Sequence, residues 1–419
     1  MQLVERHIID SNHSYFNELD VIGFLSKNLY NRANWFIRQC FIITSQLKEE
    51  QKTEHAIWIR YNDIQKMLQK TKDENYYALP TKVAQQVLKL LDKNWTSFFE
   101  SIKDYNMFPE KYTGQPSLPK YKDKKNGRNI LVYTIQSISK KEIKKGVVKL
   151  SGTKIEIKTK QKQINQVRVV PKNKQYVVEV VYEKQEVKLK TKTKKIASID
   201  LGLNNLAAIT SNQNLQPLLI NGRVLKSINQ YYNKKKSKLQ SYVGDKSSNR
   251  IIKLTNKRNN KINDFMHRAS SYIVNYISKN NFDVAVIGKN KQWKTEINIG
   301  SRNNQNFVQI PHSKFISMIT YKLKLLGIPV VLREESHTSK CSFIDFEEIK
   351  HHDEYAGKRK HRGLFISKNG TKINADCNGS GNILRKEFPN AFADGIQGVV
   401  VRPLKINIGN NMNVWKQVK

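Results

Sequence analysis

The sequence predicts an α/β sheet domain in its second half, preceded by an all-β part into which an all-α part is inserted. Three observations predict this. Residues 196–210 read as a buried strand, a turn at Asn204-Asn205 and a second strand. Five short alternating stretches between Leu131 and Glu183 have the spacing of a small barrel. Between residues 20 and 102, two long segments carry apolar residues every three or four positions, as core-facing helices do.

Charge narrows the partner before any motif is read. The 419 residues hold 74 Lys+Arg against 35 Asp+Glu, a formal net charge of +39 spread along the whole chain. A long phosphate backbone suits that distribution better than one small anion. The hydrophobic fraction of 38% is enough for real cores. No apolar run approaches the roughly 18 residues of a spanning helix, and residues 1–9 alternate like a strand rather than a signal peptide. Cys40, Cys341 and Cys377 form no CxxC pair and no disulfide framework. The expectation is a soluble protein of a reducing compartment, cytoplasmic and associated with the nucleoid.

In chain order, residues 3–9 form a strand that closes the barrel. A helix over 20–48 presents Leu25, Leu29, Ala33, Phe36, Ile37 and Cys40 on one side. A second helix follows Leu79-Pro80-Thr81, with Thr81 as its N-cap and Val83, Val87, Leu91 and Trp95 for core. Pro109, Gly114, Pro116 and Pro119, then Lys120, Lys122, Lys124 and Lys125, make residues 106–125 a basic loop. Lysines at 188, 190, 192, 194 and 195 mark a linker. After the 196–210 hairpin come a third strand at 217–220 and a helical hairpin over 223–281 broken near Gly244-Asp245. A buried strand (282–287), a helix (311–326), a fifth strand (327–335), a polar insert (336–372) and a helix beginning near Asn374 complete it. Three strands, helix, strand, helix, strand, helix is the order of an RNase H-like sheet.

Asp200 interrupts an otherwise apolar strand, where a carboxylate is expensive without a cation or donors. Gly202, two residues on, lets a ligand approach the backbone. Asp376 starts the last helix. A two-metal nuclease site needs several carboxylates around its cations, and magnesium suits such oxygen ligands. The fourth-strand position that supplies the third acid in this topology holds Gly288, followed by Lys289. Two glutamates are candidates to replace it: Glu335 at the end of the fifth strand, and Glu296 in the loop after Trp293. A strand end is the better preorganised of the two.

These residues resemble the TnpB family, RNA-guided nucleases of insertion sequences related to type V CRISPR effectors. Asp200-Leu201-Gly202-Leu203-Asn204-Asn205-Leu206-Ala207 looks like the first RuvC motif. Asn374-Ala375-Asp376-Cys377-Asn378-Gly379-Ser380-Gly381-Asn382-Ile383 looks like the third, and Thr338-Ser339-Lys340-Cys341-Ser342 like the start of the family's target-nucleic-acid-binding insert. Some relatives, including the eukaryotic Fanzor proteins, lack the second-motif glutamate and use one just before the Thr-Ser pair. Glu335, 335 − 288 = 47 residues past Gly288 and three before Thr338, matches that position. The family's zinc-binding CxxC pairs are missing: Cys341 stands alone beside His351, His352 and His361, so zinc is not expected. Phe343, Ile344, Phe346, Leu364 and Phe365 are expected to order the insert instead.

The resemblance implies an RNase H-like RuvC domain over 191–335, completed by its last helix at 373–395. The insert at 336–372 lies between, and 396–419 form a tail. A WED-like barrel is implied over 1–10 and 106–190, and an inserted REC-like helical domain over 11–105. It implies a guide RNA (omega RNA) and double-stranded target DNA as partners. Asp200, Glu335 and Asp376 would hold Mg2+ and carry out endonucleolytic cleavage beside a short flanking motif. The alternatives are a nuclease-dead, RNA-guided DNA-binding repressor and a guide-free nucleic-acid-binding protein. No HUH motif supports transposase chemistry proper.

Overall fold

The computed structural model describes residues 1–50, 56–290, 309–361, 363–396, 398–409 and 416–418. The chain divides into two compact units, 1–184 and 185–419.

In the first unit, strand β1 (Gln2–Ile9) pairs antiparallel with β6 (Gln175–Glu183), Gln2 opposite Glu183 and Ile9 opposite Tyr176. Next come β5 (Gln166–Lys172) and β2 (Leu131–Thr134), giving the order β1-β6-β5-β2. The leading strand therefore joins the sheet as expected, but the barrel does not close. β1 and β2 are the edges, because β3 (Val147–Lys149) and β4 (Glu156–Lys158), which follow the short helix α5 (Lys140–Lys144), pair only with each other. Inserted between β1 and β2 are helices α1 (Phe16–Glu49), α2 (Tyr61–Lys70), α3 (Glu74–Tyr77) and α4 (Thr81–Met107). Leu29, Ala33 and Ile37 of α1, Val87, Leu91 and Trp95 of α4, and Val167, Val169 and Val178 of the sheet belong to one continuous core. The helical part and the sheet are thus one unit rather than two domains. Pro80, not Thr81, takes the N-cap position of α4.

Helix α1 also buries a polar side. Asn34 accepts from Trp95 Nε1 at 3.0 Å and donates to the Pro119 carbonyl at 2.9 Å. Asn31 exchanges two 2.9 Å bonds with the backbone of Lys122, and Lys27 donates to the Lys124 carbonyl at 2.8 Å. The Pro-rich basic loop therefore lies along α1 with its backbone groups satisfied by α1 side chains.

The second unit is built on a seven-stranded sheet in the order β11-β10-β7-β8-β9-β15-β16. The hairpin of β7 (Ile196–Leu201) and β8 (Asn205–Ser211) continues antiparallel into β9 (Leu218–Asn221). On the other side, β10 (Val284–Gly288) and β11 (Val330–Arg333) run parallel to β7. This is the RNase H-like order. Residues 404–407, expected as tail, are instead strand β15, parallel to β9 and paired with β16 (Lys416–Val418).

Alternation along β7 sorts its side chains between two layers. Ala197, Ile199 and Leu201 face a core shared with α7 (Asn249–Lys279) and α8 (His312–Lys324), and α6 (Arg223–Val243) pairs with α7. Ile196 faces the opposite core, made with α9 (Ala375–Glu387), Phe343 and Phe365. Asp200, an even position, shares that face. The insert is a three-stranded antiparallel sheet of β12 (Lys358–His361), β13 (Leu364–Ile366) and β14 (Lys372–Asn374) with a looped leading segment, and β14 runs directly into α9. Phe343 and Phe365 are fully buried, as expected. Phe346 is 46% exposed, in left-handed backbone, 5.2 Å from the Arg385 guanidinium.

Phe343 packs directly on Gly381 of α9: a Cβ there would lie 2.7 Å from the ring. Replacing a mid-helix Gly by Ala normally stabilises a helix by about 1 kcal/mol. Here Gly381→Ala should destabilise, by about 1–3 kcal/mol, because the added carbon overpacks Phe343. Urea unfolding of Gly381→Ala, and of the same change with Phe343→Leu, checks the sign: the second should recover part of the loss.

Candidate functional site

Asp200, Glu335 and Asp376 arrive from three separate parts of the chain. Asp200 is the penultimate residue of β7 and pairs with Ala208. The β7–β10 register places Ile287 beside Ile199, so Gly288 stands one step further, level with Asp200. On its other side Gly288 pairs with Arg333, the last residue of β11. Glu335 lies two residues beyond that strand end, slightly later than the sequence suggested.

Glu335 folds back over β10 into the room left by Gly288. A Cβ at Gly288 would overlap Glu335 Oε1 and come within 2.7 Å of its Cγ. Asn290 fixes the glutamate at both ends: its Oδ1 accepts from Glu335 N at 2.8 Å, and its Nδ2 donates to Oε2 at 3.4 Å. The other carboxylate oxygen, Oε1, is buried and meets no hydrogen-bond donor among the described residues. Glu334, its neighbour, is turned outward, with a 51% exposed side chain, and pairs with Lys386 at 2.9 Å. Hydrogen bonds from Ser336 and Lys386 pull its carboxyl down to about 2.

Asp376 sits in the first turn of α9, whose N-cap Asn374 accepts from the backbone N–H groups of Asp376 and Cys377. Asn205 Nδ2 donates to Asp376 Oδ2 at 2.7 Å, and Arg359 of β12 stands 3.8 Å from Oδ1. Asp200 reaches α9 at Gly379, where a Cβ would lie 2.8 Å from Asp200 Oδ2.

Asp200 feels the other two acids. Burial, then the charges of Glu335 and Asp376, push the Asp200 carboxyl well above its ordinary value, and Arg359 opposes this in part. Burial, with a contribution from Glu334, pushes Glu335 up to about 7. Cys377, buried beside the acids, is also raised, chiefly by burial and then by Asp376 and Asp200. Among the described residues, no three His, Cys, Asp or Glu side chains are gathered at metal-ligand distance. Unneutralised carboxylates in one neighbourhood repel, so sharing an edge without closing on a common point is the expected arrangement. The donor chemistry fits a hard divalent cation: carboxylate oxygens from Asp200, Glu335 and Asp376, one of them a buried oxygen lacking a donor. Glu296, the loop alternative, lies outside the described residues.

The asparagines of α9 were not singled out by the sequence reading. Asn382 Nδ2 donates to the carbonyls of Thr338 (2.9 Å) and Cys341 (2.7 Å), and Asn378 Nδ2 to Cys341 O (2.9 Å). Asn378 Oδ1 accepts from Phe343 N at 2.9 Å, and Thr338 caps the Glu335 carbonyl at 2.8 Å through its hydroxyl. The loop carrying Glu335 is thus fastened to the helix carrying Asp376. The i, i+4 spacing of Asn378 and Asn382 was the available signal. The Cys341 thiol donates to the Lys350 carbonyl at 3.5 Å, His352 Nε2 lies 2.7 Å from the Glu348 carbonyl, and His361 is exposed on β12.

A family model described as "Probable transposase" (OrfB_IS605) matches residues 179–294, spanning Asp200 and Gly288. A second, the Cas12f1-like TNB domain, matches residues 312–383, spanning Glu335 and Asp376. A curated relative, TnpB-like protein ORF457 of Acidianus two-tailed virus, is 26% identical over 231 residues, 52% of this chain and 45% of that protein. The second half of the chain is thus similar to TnpB-family proteins. The match spans less than half of that TnpB-like relative's length. A solved Cas12f1–sgRNA–target DNA complex contains a similar fold: TM-score 0.50 at 14% identity, covering 87% of this chain and 82% of that one.

Glu335 provides a direct check on the site. Its carboxyl binds a proton up to about 7 when folded, against an ordinary value of 4.5. The stabilisation from that proton is complete below the ordinary value and is lost as pH rises through about 7. In EDTA, wild-type protein should therefore lose more thermal stability across this window than Glu335→Gln, whose amide stays neutral. Equal pH profiles of Tm would show that Glu335 is not buried beside the other acids.

Proposed function

We propose that the chain is an RNA-guided DNA endonuclease encoded by an insertion sequence. It would cut DNA beside a short flanking motif at a RuvC-like site in which Asp200, Glu335 and Asp376 hold magnesium. The observation that carries the reading is the place of Glu335, lodged in the space vacated by Gly288, level with Asp200. The chain thereby keeps a third acid at the edge where its own strand position has none. Similarity to TnpB-family proteins and the guide RNA and target DNA in the Cas12f1 complex support the partners, an omega RNA and a DNA duplex. The net charge of +39 supplies the phosphate attraction both require.

Bound divalent cations in such a site activate water and stabilise the leaving oxygen of a phosphodiester. The chain's own groups prepare for them. Asn290 orients Glu335, Asn205 holds Asp376, and Gly379 leaves Asp200 free to approach α9. Arg359, near Asp376, adds a cation where a scissile phosphate would bring further negative charge.

Glu335→Ala should abolish magnesium-dependent cleavage as fully as Asp200→Ala, since residues of one metal site act as a unit. RNA-guided binding should survive both changes. Glu334→Ala should retain most activity, because Glu334 points to Lys386 and not into the site. Cleavage assays beside gel-shift assays on the same preparations decide this. Normal cutting by Glu335→Ala with loss in Glu296→Ala would make the loop glutamate the ligand. Binding without any cleavage by the unaltered protein would make it a nuclease-dead repressor.

The guide is tested separately. The protein should copurify with RNA transcribed beside its own gene, and its affinity should fall steeply with salt. Nucleic-acid-free protein that binds bare duplex with full affinity would refute the guide.

A further inference from the structure

Helices α6 and α7 form a hairpin whose far half is not explained by the sheet it belongs to. The buried residues of α6 are Leu225 and Asn229, both in its first two turns. From Tyr231 to Val243 none is buried. The hairpin turns through Gly244, in left-handed backbone, and α7 begins at a Ser248 cap, as the break near Gly244-Asp245 predicted. Between these far halves lies a groove of about 620 Å³, the size of a site for a drug-sized ligand.

Its lining pairs aromatic faces with cations. Tyr231 and Tyr242 are 61% and 73% exposed, far more than a packing role needs. Around them stand Lys235 and Lys238 of α6, with Arg250, Lys253 and Lys257 on the facing helix α7, and among the described residues no acid lines the groove. α6 itself contains no Asp or Glu. Leu239 and Leu254 form its apolar floor. Aromatic rings beside unbalanced lysines suit a strand with free bases: the bases stack, and the cations follow the phosphates. A duplex, with bases already stacked, would leave the tyrosines unused.

Position names the strand. α6 starts at the acid edge: Gly222 N donates to Asn204 O at 2.8 Å, beside the Asn205 that holds Asp376. Tyr231 is 231 − 223 = 8 residues along α6 and Tyr242 is 242 − 223 = 19. At 1.5 Å per residue these are roughly 12 and 28 Å of helix. The groove therefore begins a few nucleotides' reach from the carboxylates. We infer that the α6–α7 groove holds the unpaired DNA strand next to the cut, with Tyr231 and Tyr242 stacking its bases. The identity of that strand rests on the endonuclease reading above; the preference for unpaired nucleic acid rests on the groove alone.

The test uses the full chain in EDTA, where nothing is cleaved. An oligodeoxythymidylate substituted with 5-iododeoxyuridine, an oligouridylate of equal length carrying 5-iodouridine and an iodo-substituted DNA duplex are irradiated with the protein. Crosslinks are then mapped by mass spectrometry. The DNA strand should crosslink at Tyr231 and Tyr242, and the duplex should not. Tyr231→Ala/Tyr242→Ala should weaken single-strand affinity about tenfold or more, by the usual strength of base stacking, whereas Tyr231→Phe/Tyr242→Phe should keep it. Lys238→Gln should lower the salt slope by about one. Crosslinks elsewhere, equal binding by the Ala variant, or stronger crosslinking of these tyrosines to RNA or duplex would overturn the inference. Crosslinks at the groove in a protein that never cuts would refute the endonuclease reading and leave single-strand binding standing. Normal cutting with no groove crosslinks would do the reverse.

Discussion

Three carboxylates brought to one edge of a sheet repel one another, and the second unit is arranged around making that repulsion tolerable. Two glycines leave the room: Gly288 for the Glu335 side chain and Gly379 for Asp200. Two asparagines hold the acids in place without adding charge, Asn290 at Glu335 and Asn205 at Asp376. Arg359 adds one partly exposed cation. Burial also opposes the charged forms of Asp200 and Glu335, pushing both carboxyls above their ordinary values.

Helix α9 links that edge to everything behind it. One turn supplies Asp376. The next places Gly379 under Asp200 and Ser380 against Ser198, whose hydroxyls lie 3.0 Å apart. Asn378 and Asn382, one turn apart, grip the loop that carries Glu335, and Gly381 between them receives Phe343. A helix this rich in Gly, Ser and Asn has poor intrinsic propensity. Its stability comes from the Asn374 cap and from close packing on the sheet, which larger residues would prevent.

Much of this could be read from the sequence, for physical reasons. Asp200 stood out because an acid in an apolar strand demands an explanation, and Gly288 because a glycine at an expected ligand position does. Glu335 followed from strand order, since adjacent parallel strands end at the same edge. The Asn378/Asn382 clamp was missed because a polar helix face looks solvated until its partner loop is known. Strand β15 was missed because four residues of moderate hydropathy carry little periodic signal. The open first sheet was taken for a barrel because strand spacing fixes neighbours and not closure: β3 and β4 have strand-like sequence yet pair apart from the rest. Phe346 was taken for core, but it stands half exposed beside the Arg385 guanidinium.

The order of the acids along the chain has a consequence for synthesis. Asp200, Glu335 and Asp376 leave the ribosome in that sequence, and β15, which covers the outer side of β9, emerges later still. A nascent chain has translated its whole first unit, with its own core, before any of these three acids exists. A product terminated between Glu335 and Asp376 would retain that unit while lacking α9 and the residues that fasten Glu335. Truncation there by a frameshift or nonsense mutation would thus yield a basic protein with an incomplete acid set, while the exposed edge of β9 would invite strand pairing with other chains.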